Sequence, residues 1–128
     1  MRSLLTLVVL AGFSSSAFAV EAISYRGCMA QAQDIPSYYV CMDPEYQMVE
    51  KALAVEIATG AKTLSAESQA RFAVAQKDWE TARDGQCAVI ASRYVGNAYE
   101  GVAIQECTIE MIRARIVEVG QIFSSLKN

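Results

Sequence analysis

Beyond residue 20 the apolar positions recur at steps of three and four, the spacing of one face of an α-helix. Tyr46, Val49, Leu53 and Ile57 form one such stripe. Phe72, Ala75, Trp79, Ala82, Gln86 and Ile90 form a second, and Ile104, Thr108, Met111, Arg115, Val119, Ile122 and Leu126 a third. No stretch alternates cleanly enough to argue for a strand. Asp43-Pro44 predicts a helix start, with Asp as cap and Pro in the first turn, and Gly60 predicts its stop. Ser65 can cap the next helix, which should run to about Tyr94. Gly96-Asn97 and Gly101 then break the pattern, so the last helix is expected from about Val102. Upstream, a short helix is predicted over about Ser24 to Gln33, followed by a turn at Asp34-Ile35-Pro36-Ser37. The expected fold is all-α: a small helical domain with a long antiparallel helix hairpin and shorter N-terminal helices packed on it.

The N-terminus follows a different pattern. Met1-Arg2-Ser3 leads into an apolar run from Leu4 to Phe13, and small residues end in Ala17-Phe18-Ala19. This is the layout of a secretory signal peptide with an A-x-A cleavage site. The run is too short to anchor in a bilayer, which takes roughly 20 apolar residues. Cleavage is expected after Ala19, giving a mature chain from Val20 to Asn128 and a periplasmic or secreted product. No cysteine lies near the site to accept a lipid.

Charge narrows the partners. The whole chain carries 11 basic and 14 acidic residues, a net charge of −3. The first 19 residues hold Arg2 and no acid, so the mature chain stands at −4. Its basic residues are scattered, and nucleic-acid binding requires them clustered against phosphates. The chain contains no histidine. This excludes Ser-His-Asp and Cys-His nucleophilic chemistry. Glu106 and Glu110 share a helix face, which reads as a solvated surface. No Gly-rich phosphate loop occurs, no cofactor is implied, and the reading is of a protein without enzymatic activity.

All four cysteines, Cys28, Cys41, Cys87 and Cys107, follow the expected cleavage site. An even count in an exported chain favours disulfides. Zinc would call for close C-x₂₋₄-C pairs, and thiol redox chemistry for C-x-x-C. The spacings here are 13, 46 and 20, so no metal site is expected. Cys87 lies ten residues before Asn97 and Cys107 ten after it. A hairpin turning near Asn97 brings them to the same height. Cys28 and Cys41 likewise flank the Asp34–Pro36 turn. The expected pairs are Cys28–Cys41 and Cys87–Cys107.

Gln76, Trp79, Arg83 and Cys87 form one helical stripe of unusual polarity. The residues themselves suggest a structural role: Trp79 in the core, Cys87 stapling the hairpin, Arg83 stacked on Trp79. The run Ala-Gln-x-x-Trp-x-x-x-Arg-Asp-x-x-Cys also resembles the N-terminal domain of LprI-type lysozyme inhibitors, formerly a domain of unknown function. The resemblance covers Gln76, Trp79, Arg83, Asp84, Cys87, Cys107, Glu110 and Arg115, and extends to Cys28 and Cys41 followed by Asp43-Pro44-Glu45. The chain departs from the family pattern at Gly96-Asn97 and Gly101, where a Gly-Ser element is common, and at Ile112, where a threonine is expected.

The resemblance implies a small secreted or periplasmic binding protein that inhibits a lysozyme or another cell-wall hydrolase. An acidic domain would be helped electrostatically toward a basic lysozyme. Tyr94, Asn97, Tyr99 and Glu100 around the hairpin loop are the candidate partner-binding residues, being of types that anchor interfaces. The alternative is an envelope interaction module, or an immunity-like protein against a toxin, with a different protein partner. The sequence does not fix the oligomeric state.

Overall fold

The computed structural model describes residues 24–127, and the expected signal peptide with its cleavage site lies outside them. Four α-helices follow in chain order: α1 (Tyr25–Gln31), α2 (Ile35–Ala61), α3 (Ala66–Ala91) and α4 (Tyr99–Ser125). A single 3-10 turn, Ser92–Tyr94, ends α3. The described residues contain no strand, as the periodicity predicts.

Helix α2 starts at Ile35, nine residues earlier than Pro44 suggests. Asp34 and Ser37 form a reciprocal cap. The Ser37 N–H donates to Asp34 Oδ1 (2.8 Å) and the Asp34 N–H to Ser37 Oγ (3.1 Å), which satisfies two donors at the helix start. Pro36 then occupies the first turn, where a missing N–H costs nothing, and Pro44 lies inside the helix. The carbonyl Pro44 leaves unpaired belongs to Val40, on the solvent face and 73% exposed, where water can satisfy it. The N-terminal part is therefore not the smaller partner: α2 and α4 are both 27 residues long.

Helix α4 is gripped from two sides. Toward α2 it presents Val102, Ile109, Ile112, Val119 and Phe123, which bury with Met42, Val49 and Leu53 in the core. Toward α3 it presents Cys107, Met111 and Arg115. The stripe Ile104, Thr108, Met111, Arg115, Val119, Ile122 and Leu126 read from the sequence runs mostly along the α3-facing side; Val119 belongs to the core, and Ile104 and Leu126 are exposed. The larger apolar face lies further round the helix and meets α2. Contacts from Tyr39 against Gly101 to Gly60 against Phe123 run in the same direction along α2 and α4, so these two helices are parallel. Helices α3 and α4 form the antiparallel hairpin.

Gly60 lies one residue before the end of α2, and its role is packing. A Cβ there would meet the Phe123 ring at 1.9 Å. Gly101 is inside α4 for a similar reason, because a Cβ would sit 2.5 Å from the Tyr39 hydroxyl. That close approach explains why a glycine read as a breaker is helical. Ser65 caps α3 as expected, accepting from the Ser68 N–H (3.2 Å). Both disulfides pair as expected, with Cα–Cα distances of 5.7 Å for Cys28–Cys41 and 5.6 Å for Cys87–Cys107. Each closes a short loop, worth about 3 kcal/mol in the chain-entropy account.

Candidate functional site

The polar stripe of α3 faces inward. Gln76 and Cys87 are buried, and Phe72, Trp79 and Arg83 half-buried. Ala75, Ala82, Gln86 and Ile90, expected on the core face, point to solvent. Polar residues take the inner face because α4 offers Arg115 there, 6% exposed. Its Nε donates to Gln76 Oε1 (3.0 Å) and its Nη1 to Glu118 Oε2 (2.8 Å). The guanidinium carbons of Arg115 and Arg83 lie 5.2 and 5.3 Å from the Trp79 ring centre. Arg83 is neutralised by Asp84 at 2.8 Å. A cation over an indole face, with its N–H groups hydrogen-bonded, is a stable way to bury charge. The cluster ties α3 to α4. Its hydrogen bonds join Arg115 to Gln76 and Glu118, and Arg83 to Asp84, while both guanidiniums stand over Trp79.

A second polar cluster fixes α1. Besides the Cys28–Cys41 bond, Tyr25 lies under the Arg113 guanidinium, 4.8 Å from its ring centre. Arg113 pairs with Glu45 of α2 and with Glu110 of α4 (2.6 Å). The Tyr25 hydroxyl is buried without a hydrogen-bond partner among the described residues. Burial, followed by the nearby Glu106 and Glu110 carboxylates, pushes its pKa up to about 12. Among the described residues no three His, Cys, Asp or Glu side chains converge as metal ligands.

The third location is the tip of the bundle, where α3 turns into α4. Gly96 has φ +76°, the left-handed region a glycine tolerates. Asn97 is structural: its Oδ1 accepts from the Tyr99 N–H (3.0 Å) and starts α4, an Asx turn doing the work of a cap. Glu100 sits in the first turn of α4, where an acid suits the helix dipole. Tyr94 and Tyr99 come together across the loop, each 37% exposed. Two residues join them that the loop reading missed. Tyr38 of α2 meets Tyr99 edge to face at 6.0 Å, and Glu106 lies two turns along α4. These four line a cleft of about 140 Å³, floored by Val102 and Ala103. Glu106 was legible as the i+7 neighbour of Tyr99, given a helix starting at residue 99. Tyr38 comes from another helix and left no local signal.

Among the described residues no helix is long and apolar enough to cross a membrane. Comparison with curated proteins and with solved structures gives no match. A family model does match: residues 28–119 fit the family described as lysozyme inhibitor LprI. The matched span takes in both disulfides, the Trp79 stripe and Arg115. With well over half the chain covered by the model, this protein belongs to the lysozyme inhibitor LprI family.

Proposed function

We propose that the protein is an exported binding protein that inhibits a lysozyme-type peptidoglycan hydrolase. The observation that carries this reading is the family match, which spans α1 to α4 rather than an isolated motif. Two disulfides support a life outside the cytoplasm, where such bonds persist. The N-terminal segment to Ala19 would then be the export signal, and residues 20–128 the mature domain, acting in the periplasm or beyond it. Inhibition needs a rigid surface and no catalytic group, and a stapled bundle provides one. The exposed tip with Tyr94, Asn97, Tyr99 and Glu100 is the contact surface on this reading.

The test is lysis of cell-wall suspensions by several lysozymes, with and without the oxidised mature protein. Lysis should slow in proportion to added inhibitor and stop near equimolar protein. Undiminished lysis at large excess, against every lysozyme tried, would overturn the proposal. Co-isolation with one different envelope protein would instead favour the immunity-like alternative.

A further inference from the structure

The cleft at the tip has a composition that a loop closure alone does not require. Three tyrosines, Tyr38, Tyr94 and Tyr99, line it together with one carboxylate, Glu106. Most acids of the described chain are already engaged: Glu45 and Glu110 with Arg113, Glu118 with Arg115, Asp84 with Arg83, Glu67 with Arg71, Glu80 with Lys77, Asp43 with Gln105, Glu50 with Tyr46 and Asp34 with Ser37. Among the described residues Glu106 forms no ion pair. The faces of aromatic rings attract cations, and a carboxylate beside them adds directed charge.

We infer that this cleft is a cation cage that takes an arginine or lysine side chain from a basic partner protein. This rests on the inhibitor reading for the partner's identity, but the cage chemistry stands apart from it. The volume of about 140 Å³ holds roughly five water-sized groups, the scale of a guanidinium and its last methylenes. The walls are held before binding. Tyr38 follows the capped start of α2, and Tyr99 is fixed by Asn97. Glu106 precedes the stapled Cys107. A preformed site loses little ordering entropy when it is filled. Tyr94 already accepts one guanidinium: Arg93 lies 5.8 Å from its ring centre. Arg93 stays outside the cage, with its Nε donating to the Ile90 carbonyl (3.3 Å). It lines the adjoining groove of about 410 Å³, which shares Tyr94, Ala103 and Glu106 with the cleft. The groove gives the rest of the partner a place beside the inserted cation.

Two measurements on the oxidised full-length mature protein test this. In the first, arginine ethyl ester and tetramethylammonium are titrated while tyrosine ring signals are followed by NMR. Tyr38, Tyr94 and Tyr99 should shift together, and Glu106→Gln should abolish the shifts. In the second, affinity for a basic lysozyme is measured by calorimetry. Glu106→Gln and Tyr99→Leu should each weaken binding by about tenfold. Asp78→Asn, which removes the same charge from an exposed site on α3, should leave it unchanged. Glu106 is exposed, so Glu106→Gln should fold normally even if Tyr99→Leu does not. Equal losses for Asp78→Asn and Glu106→Gln would reduce the effect to general charge attraction and overturn the cage. Tight lysozyme binding by both cage variants would overturn it too, while leaving the inhibitor reading intact. Ring shifts with small cations but no lysozyme complex would uphold the cage and sink that partner.

Discussion

Replacing Arg115 by alanine should be among the most damaging single changes outside the apolar core. The side chain is 6% exposed and makes three contacts: Gln76 at 3.0 Å, Glu118 at 2.8 Å, and the Trp79 ring at 5.2 Å. The Glu118 carboxylate is about half exposed, so that pair contributes little, on the order of 0–1 kcal/mol. The larger loss is at Gln76, whose buried carbonyl is left unpaired at a cost of about 1–3 kcal/mol. Loss of the cation over Trp79 adds about 1–2 kcal/mol, and the vacated stem leaves a cavity. A total of about 3–5 kcal/mol is expected, the usual cost of breaking one partner of a buried polar pair. For a domain of this size that lowers Tm by roughly 15–30 °C. Urea unfolding under non-reducing conditions, followed by two probes to check two-state behaviour, measures it. The double variant Gln76→Leu with Arg115→Met removes both polar partners and fills the space. It should recover most of the loss, because no unpaired group remains. A single-variant loss below about 1 kcal/mol, the value of an ordinary surface pair, would refute the assignment of the cluster to stability. So would a double variant as unstable as the sum of its parts.

Glycine substitutions should divide by sign. Gly60→Ala meets the Phe123 ring at 1.9 Å and should destabilise by about 1–3 kcal/mol. Gly85→Ala, mid-helix with nothing within 4 Å, should stabilise by about 0.5–1 kcal/mol; thermal melts of both variants check the contrast. Removing the second staple with Cys87→Ser and Cys107→Ser should cost about 3 kcal/mol, measured by urea midpoint. The Tyr25 phenol, raised from 10.0 to about 12, holds its proton more tightly folded than unfolded. Its contribution is complete below about pH 10 and is lost as pH climbs through about 12. Spectroscopic titration should show a late-ionising tyrosine component that shrinks in Tyr25→Phe, leaving Tyr46, also raised by burial and its bond to Glu50; an undiminished late component in the variant would contradict the assignment.

Much of this architecture was legible because helices carry their period in the sequence. Pairing of Cys87 with Cys107 followed from equal offsets about Asn97, a property of any antiparallel hairpin. What misled was local chemistry with two meanings. Pro44 fits a first turn, but so does Pro36. The Asp34–Ser37 cap decides between them, and its second residue is serine rather than the glutamate that usually signals a capping box. Gly101 reads as a breaker until Tyr39 is seen to need the space. On α3 the apolar stripe put Ala75, Ala82, Gln86 and Ile90 on the core face with Phe72 and Trp79, whereas it is Gln76, Arg83 and Cys87, read separately as a structural stripe beside the core, that share the inner face with Phe72 and Trp79. That inversion depends on Arg115 being present on α4, a tertiary fact invisible within α3. Tyr94 and Tyr99 do meet at the tip, but Asn97 holds the backbone there, and Tyr38 and Glu106 are brought to the cleft by tertiary packing.

The placement of the signature bears on what family membership can say. Gln76, Trp79, Arg83 and Arg115 contact one another under or beside the core, through the Arg115–Gln76 hydrogen bond and two guanidiniums over the indole. A chain keeping this cluster keeps the way α3 docks on α4, whatever it binds. The tip is a separate part of the molecule. Glu106 lies nine residues before Arg115, roughly 13 Å along the helix at 1.5 Å per residue. The Cys87–Cys107 staple sits between them. The buried cluster and the proposed recognition cleft thus lie on opposite halves of one helix. The repacked double variant at Gln76 and Arg115 should therefore bind a partner as wild type does, while Glu106→Gln should bind poorly with an unchanged melting curve. If instead the two variants lost binding together, the buried cluster would be setting the geometry of the tip through α4, and signature and site would have to be treated as one device.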